Sequence, residues 1–293
     1  MQTNLQKKSL TPEQAMMDNN WDNFLKNLGH WEGSFTFVSL EGELGDSTPS
    51  ILDLEGFEEN KLVRFRLRRY GPAGYIDPPV SDYSQDYRTL GRQVVFFETG
   101  AFSKGTLQLA PFSEFGAEYG FVSENRRLRF VQLYDDQGNL ATLVLIREFR
   151  SGSNAQERPR LTIEQMIGRW QGTATKVYCD WQPSETYSTF REIKYIENGK
   201  VQQELQINNQ TIISTGIVDG NILHIENSDY PRRVLLLDDG TFSNVPLSLK
   251  LRESFDVELG WMAEQSQFQR LIRSYNEKGQ WISSTFIVEQ KVS

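Results

Sequence analysis

The sequence predicts an all-β protein built from two tandem antiparallel β-barrels, each preceded by a helix. Three observations support this: the chain has 293 residues, the motif Gly-x-Trp-x-Gly occurs at residues 29–33 and 168–172, and short runs of strand-like alternation follow each copy. A chain of 293 residues is longer than a typical domain with a single hydrophobic core, so two domains of about 140 residues are expected. We place the boundary after residue 150, which gives an N-terminal barrel (1–150) and a C-terminal barrel (151–293).

The repeated motif describes a packing arrangement at the start of a strand. Side chains alternate between the two faces of a strand, so Trp31 and Gly33 share one face, and Trp170 and Gly172 repeat the arrangement. Small barrels use this combination at one end, where a large ring closes the floor and a glycine lets the strand bend or another element approach. The pattern resembles the first-strand signature of the lipocalin-like (calycin) barrels. We therefore expect both indoles to be buried.

The composition excludes several classes of function. The formal net charge of −8 argues against nucleic acid as a partner. No apolar run is long enough to span a membrane, and the first residues lack the apolar core of a signal peptide, so a cytoplasmic protein is expected. With Cys179, His30 and His224 as the whole set of cysteines and histidines, neither a disulfide nor a metal site is expected, and we predict no cofactor.

A predicted helix precedes each motif. Thr11 and Pro12 form a helix start, and apolar residues then recur at helical spacing until Gly29. Residues 162–165 provide a second capping box before the second motif. We expect the first helix to plug or flank its barrel.

Strand candidates follow each helix as an antiparallel meander. Residues 71–85 are rich in Gly, Pro, Asp and Tyr and predict a long loop at a barrel mouth. Residues 150–159 lack periodicity and predict a linker between the two barrels.

The two halves of the sequence match beyond their opening motifs. Trp31 falls on Trp170 at an offset of 139 residues, and later matches occur at offsets of 140 and 141. They pair Phe115, Glu118 and Gly120 with Phe255, Glu258 and Gly260, and Arg129, Tyr134 and Glu148 with Arg270, Tyr275 and Glu289. A drift of two residues over more than a hundred indicates an internal duplication.

The repeated charged residues are the first candidates for a site. Glu118 and Arg129 lie on strands joined by a short turn, which places them diagonally on one face; Glu258 and Arg270 repeat the pair. One interpretation is an outward ion pair worth ~0–1 kcal/mol. The other places each arginine inside its barrel, where it binds a ligand carboxylate. Replacing the arginine by glutamine should then selectively weaken the binding of acidic ligands.

Three further residues complete the candidate site. Lys176 shares the alternating face of Trp170, so it points into the barrel unless a bulge reverses the strand. Tyr119 and Trp261 are most simply core residues and alternatively line a pocket. No candidate catalytic residue emerges, because nothing resembles a Ser-His-Asp set or a phosphate loop.

Residues 121–129, with Phe121, Ser123, Asn125, Arg127 and Arg129, resemble the Phe-x-Ser-x-Asn-x-Arg-x-Arg segment of the S-type phycobilin lyases. These single lipocalin-like barrels attach open-chain tetrapyrroles to cysteines of light-harvesting proteins. In overall layout the chain is similar to a cyanobacterial and plastid-lineage family of tandem lipocalin-like proteins. The resemblance implies the barrel fold.

The function expected from these observations is non-catalytic binding of an apolar or amphipathic small molecule, of the tetrapyrrole, lipid or pigment class, inside a barrel. One alternative is a lyase-like chaperone of chromophore attachment. Another is a scaffold whose barrels are filled by side chains, an interpretation that the 18 phenylalanines favour.

Overall fold

The computed structural model describes residues 12–180, 182–207, 210–226, 228 and 230–292. Within these residues the chain is almost entirely β, and the predicted fold class is confirmed. The helices are α1 (Pro12–Leu25), the single turn α2 (Ile163–Met166) and two short 3-10 helices, Gly74–Ile76 and Glu197–Gly199. The predicted cap residue Thr11 lies outside the described residues.

The first nine strands form one curled antiparallel sheet, the N-terminal sheet, in the order β4-β3-β2-β1-β9-β8-β7-β6-β5. Its strands are β1 (Gly29–Val38), β2 (Leu44–Phe57), β3 (Leu62–Arg69), β4 (Ser81–Tyr87), β5 (Val94–Phe96), β6 (Phe102–Gly105), β7 (Phe115–Ser123), β8 (Arg126–Tyr134) and β9 (Leu140–Arg150). Of the loop predicted over 71–85, residues 71–80 lie outside any strand, and β4, which begins at Ser81, corrects the prediction for 81–85. The exposed Arg64–Asp86 and Arg66–Asp82 pairs bind β3 to β4 and offset the weak strand propensity of this polar segment.

The remaining ten strands close on themselves as the C-terminal barrel, with each strand paired to its sequence neighbours and β10 to β19. They are β10 (Gly168–Tyr178), β11 (Glu185–Tyr195), β12 (Lys200–Ile207), β13 (Gln210–Asp219), β14 (Ile222–Ile225), β15 (Arg232–Leu237), β16 (Thr241–Pro246), β17 (Phe255–Glu264), β18 (Gln267–Tyr275) and β19 (Trp281–Val292).

The two halves differ at the point where a barrel must close. In the C-terminal barrel, β14 bridges β13 and β15. The N-terminal sheet has no strand at that position within the described residues, and side-chain amides of α1 bond the edge of β5 instead. Asn20 donates to Val94 O (3.1 Å) and accepts from Phe96 N (2.6 Å), and Asn23 donates to Phe96 O (3.2 Å). The amides thus satisfy backbone groups that an open edge leaves unpaired.

The repeated tryptophans close the floor of each half, as expected. Trp31 and Trp170 are both fully buried. Their indole N–H groups donate to the carbonyl oxygens of Asn27 (3.0 Å) and Met166 (2.8 Å), which lie four residues earlier in each half. The second glycine of the motif is required by close approach: a Cβ at Gly33 would lie 2.0 Å from the carbonyl oxygen of Arg147 on β9.

The outer faces of the two halves pack against each other with approximate two-fold symmetry. The hydroxyl of Tyr134 donates to Pro246 O (3.0 Å), and that of its repeat equivalent Tyr275 donates to Thr106 O (2.8 Å). Equivalent residues also meet each other across the interface, in ring pairs at 5.4 and 6.0 Å, namely Phe115 with Phe255 and Phe121 with Trp261. One continuous apolar cluster therefore includes side chains from both halves.

We expect Trp31→Ala and Trp170→Ala each to lower the free energy of unfolding by ~3–5 kcal/mol, because each leaves a large cavity at a fully buried position. Urea unfolding of the full chain measures this change. Trp→Phe at the same positions is the control, since it retains most of the ring volume and should cost less. A loss below about 1 kcal/mol in both alanine variants would contradict the role of the indoles as the floor of each half.

Candidate functional site

A buried cluster of charges occupies the same place in each half. In the N-terminal sheet, Arg129 donates to Glu118 (2.9 Å) and to Glu148 (2.7 and 3.1 Å). In the C-terminal barrel, Arg270 donates to Glu258 (2.7 Å) and Glu289 (3.0 Å). Both arginines face the interior, so the outward ion pair, one of the two interpretations left open by the sequence, is wrong for both pairs. We call each group the arginine–glutamate cluster.

A second arginine joins each cluster, from β8 in the N-terminal sheet and from β11 in the C-terminal barrel. In the N-terminal sheet it is Arg127 on β8, which bonds Glu148 and donates its Nε to Asn27 Oδ1 (2.9 Å). In the C-terminal barrel it is Arg191 on β11, which bonds Glu289. Leu52 pairs with Trp31, and Arg191 pairs with Trp170, so Leu52 and Arg191 occupy equivalent positions. The second arginine therefore lies on a different strand in each half.

The arginines keep the central carboxylates ionised. Burial raises the pKa of Glu289, but Arg191 and Arg270 outweigh this effect and hold the pKa below its ordinary value. Arg127 and Arg129 act in the same way on Glu148. Each half therefore carries two buried guanidinium groups around a carboxylate that stays charged at neutral pH.

A cavity of about 350 Å³ lies inside the C-terminal barrel. Its wall is formed by alternating, inward-facing residues of β11 to β18, and α2 lies at one end. The wall is apolar over much of its area, with Ile193, Leu205, Leu223, Ile225, Val234 and Phe242 among the lining residues. Its charged residues are Arg191, Arg232, Arg270, Asp256 and Glu258.

The charged part of the wall is one connected hydrogen-bond network. Beyond Arg270, Glu258 accepts from Asn244 Nδ2 (2.8 Å), and Asn244 accepts from Arg232 Nε (2.7 Å). Arg232 then pairs with Asp256 at 2.7 Å. The network leaves an amphipathic cavity, apolar on one side and hydrogen-bonding on the other.

The structure brings some of the predicted site residues together and separates others. Glu258 and Arg270 line the cavity, whereas Glu118 and Arg129 lie in the N-terminal cluster. Tyr119 and Trp261 lie at the interface between the halves, where Tyr119 donates to Val257 O (2.9 Å) and Trp261 to Asp239 O (2.9 Å).

Lys176 is half-buried on the inward face of β10, beyond the residues that line the cavity. Its Nζ lies 4.9 Å from the centre of the Tyr178 ring. The bulge that would have turned Lys176 outward does not occur, since β10 pairs with β11 and β19 in unbroken register through this residue. The ammonium group of Lys176 therefore makes a cation–π contact with Tyr178.

Several residues of the two clusters were missed as candidates. Glu148 and Glu289 are repeat matches, and treating every repeated charge as a candidate would have found them. Arg191 has Leu52 as its equivalent, so no repeat pattern could indicate it.

The described residues contain no group of three or more histidine, cysteine or carboxylate side chains that could hold a metal ion.

Burial raises the pKa of the half-buried Cys179 thiol, and Asp180 adds to the effect. In the part of the chain that the structure describes, no helix is long and apolar enough to cross a membrane.

We expect Arg270→Gln and Arg129→Gln each to destabilise the protein by ~3–5 kcal/mol, because each leaves buried carboxylates without their main partner. Urea unfolding at pH 7 tests this. Arg64→Gln is the matched control, since its pair with Asp86 is exposed and should contribute little. Equal effects at buried and exposed sites would contradict the structural role of the cluster.

The depressed pKa values of Glu148 and Glu289 predict acid sensitivity. Their contribution to stability is complete above the unfolded-state pKa, ~4.3, and is lost as the pH falls through the lower folded-state value. Urea unfolding between pH 7 and pH 3 should show this loss. It should be smaller in Glu289→Gln than in the surface control Glu264→Gln, and identical pH profiles would refute the assignment.

The chain was compared with known families and structures. The N-terminal model of DUF3598, a domain of unknown function, matches residues 17–153. The model named "Biogenesis factor required for ATP synthase 1, C-terminal domain" matches residues 157–292. Comparison with curated proteins gives no match.

A solved structure of a DUF3598 protein of unknown function from Nostoc punctiforme is 43% identical to this chain, with a TM-score of 0.87. It covers 93% of this chain and 99% of its own. An S-type phycobiliprotein lyase from Guillardia theta is 11% identical, with a TM-score of 0.35, over 44% of this chain and 90% of its own. The match to the Nostoc protein spans both halves, and the chain therefore belongs to the DUF3598 family.

Proposed function

We propose that the protein binds an apolar or amphipathic small molecule, of the lipid, pigment or tetrapyrrole class, inside the C-terminal barrel. Residues 151–293 would form the binding domain and residues 1–150 a second domain that packs against it. The observation that carries the proposal is the amphipathic cavity of about 350 Å³. This volume lies near the lower end of the ~300–1,000 Å³ typical of small-molecule sites, so it favours a compact ligand.

The chemistry of the wall supports binding rather than catalysis. Among the described residues that line the cavity there is no histidine or cysteine. The carboxylates Asp256 and Glu258 are engaged by Arg232 and Arg270. Groups held in this way orient a ligand, whereas a general base needs a free lone pair directed at its substrate.

The proposal does not depend on a carboxylate-binding Arg270. Its guanidinium already contacts two protein carboxylates, and a ligand carboxylate would have to compete with both. The selective effect of Arg129→Gln or Arg270→Gln on acidic ligands stays a prediction.

A cavity-filling variant tests the proposal. Ser214 lines the cavity, and Ser214→Trp should lower affinity at least tenfold for any of three probes that binds, palmitate, retinol or biliverdin, because the indole occupies the ligand's volume. Equilibrium dialysis measures the affinities. Gln206→Trp places the same side chain on the exposed outer face of the neighbouring strand β12 and is the control. Probes that bind both variants as well as the wild type would place the site elsewhere.

A second candidate function is assistance in protein assembly. The family model over residues 157–292 takes its name from a biogenesis factor required for ATP synthase. The candidate is tested by mixing the full chain with purified ATP synthase subunits and following complex formation by size-exclusion chromatography. Ser214→Trp should leave such a complex unchanged, which separates this candidate from ligand binding.

A further inference from the structure

Arg191 differs from the other two arginines of the cavity wall in its hydrogen bonds. Arg232 bonds Asn244, Tyr230 and Asp256, and Arg270 bonds two glutamates. Arg191 makes a single hydrogen bond, from Nη2 to Glu289, among the described residues. Its side chain is 1% exposed, and its Nε is buried without a partner.

An unpaired buried guanidinium N–H loses its water without gaining an acceptor. Among the described residues five arginines have a buried Nε without a partner, and Arg191 is the one of the five that lines the cavity. The next inward-facing position along β11 repeats the situation: the hydroxyl of Thr189 is also buried without a partner. Of these two successive inward residues of β11, Arg191 lines the cavity and Thr189 does not.

The N-terminal sheet shows how the duplicated site is completed by protein alone. There Arg127 donates its Nε to the side chain of Asn27, in the turn that follows α1 (2.9 Å). The residue equivalent to Asn27 in the second half is Met166, whose carbonyl likewise accepts from the floor tryptophan. Its thioether is only a weak acceptor compared with an amide oxygen. The C-terminal barrel therefore has no amide acceptor at this position, and its second arginine, Arg191, lies on a different strand from Arg127.

Arg191 is held in place by its surroundings. Its guanidinium carbon lies 5.7 Å from the ring centre of Trp170 and 5.3 Å from that of Phe268. Both rings are fully buried, so the guanidinium is fixed at the floor of the cavity before any ligand enters.

The charge of the site selects the kind of acceptor. Arg191 and Arg270 are balanced by Glu258 and Glu289, and Arg232 is balanced by Asp256. An anionic ligand would add a negative charge beside carboxylates that are already present, which is unfavourable in a buried site. A neutral oxygen can accept the free N–H groups without this penalty.

We propose that Arg191 is the ligand-recognising residue of the cavity and that it binds an uncharged oxygen acceptor, such as a ketone, ester, amide or lactam carbonyl, at one end of an otherwise apolar molecule. The inference rests on the proposed function and adds the chemical class of the ligand's polar end. The apolar part of the ligand would pack on the aliphatic wall formed by Leu205, Leu223 and Ile225.

Three probes of equal chain length test the inference: nonane, 2-nonanone and nonanoate, measured by equilibrium dialysis with the full chain at pH 7. We expect the ketone to bind about ten- to a hundredfold more tightly than nonane, the range of one hydrogen bond to a charged group. Nonanoate should bind more weakly than the ketone.

The double variant Arg191→Met with Glu289→Gln removes the donor and keeps the cluster neutral. The preference for the ketone over nonane should disappear in this variant. It should persist in the control Arg169→Met, whose side chain is exposed on the outer face of β10. If the double variant fails to fold, as judged by circular dichroism, the wild-type comparison of the three probes still decides.

The outcomes separate this inference from the proposed function. Equal affinity of wild type for nonane and 2-nonanone, tightest binding of nonanoate, or a ketone preference that survives in the double variant would each overturn the role of Arg191 while leaving the cavity as a binding site. Failure of these three probes and of palmitate, retinol and biliverdin to bind the wild type would overturn the proposed function itself.

Discussion

Each half of the protein is arranged around a buried guanidinium group held between two carboxylates. Arg129 and Arg270 lie at equivalent positions, and their central partners Glu148 and Glu289 are fully inaccessible. Removing charges from water is costly, and the cost is offset only when every partner is held in good geometry. The strands that carry these residues must therefore keep one register, because a slip of one residue would turn a buried charge to the other face.

The same strands are also buried on their outer side, because the two halves pack face to face. Strands β8 and β18 consequently show almost uninterrupted burial instead of the alternation of a sheet with one wet face. Hydroxyls of equivalent tyrosines, Tyr134 and Tyr275, bond backbone carbonyls of the opposite half. The duplication thus produced a pseudo-symmetric pair in which each half covers an apolar face of the other.

The two halves have diverged in how they close and in what they enclose. The N-terminal sheet satisfies the edge of β5 with amides from a helix of 14 residues, and the turn after this helix provides Asn27 to the arginine–glutamate cluster. The C-terminal barrel closes with the additional strand β14, its preceding helix is a single turn, and a cavity lies beside its cluster. A protein side chain thus completes the cluster in the first half, and an unsatisfied arginine faces a cavity in the second.

Sequence alone determined the all-β class, the internal duplication and the buried tryptophans. Strand alternation and a repeated motif are local patterns, so they can be recognised without knowing which residues are in contact. The sequence also identified Glu118, Arg129, Glu258 and Arg270, whose spacing about a hairpin turn is local as well. Only the tertiary structure decided which half closes, where the cavity lies and that Arg191 joins the cluster. Arg191 meets Glu289 because β10 separates β11 from β19 by one strand, a neighbour relation that depends on barrel closure and register. Arg191 and Glu289 are 98 residues apart, and no periodic pattern in the sequence indicates that they are in contact.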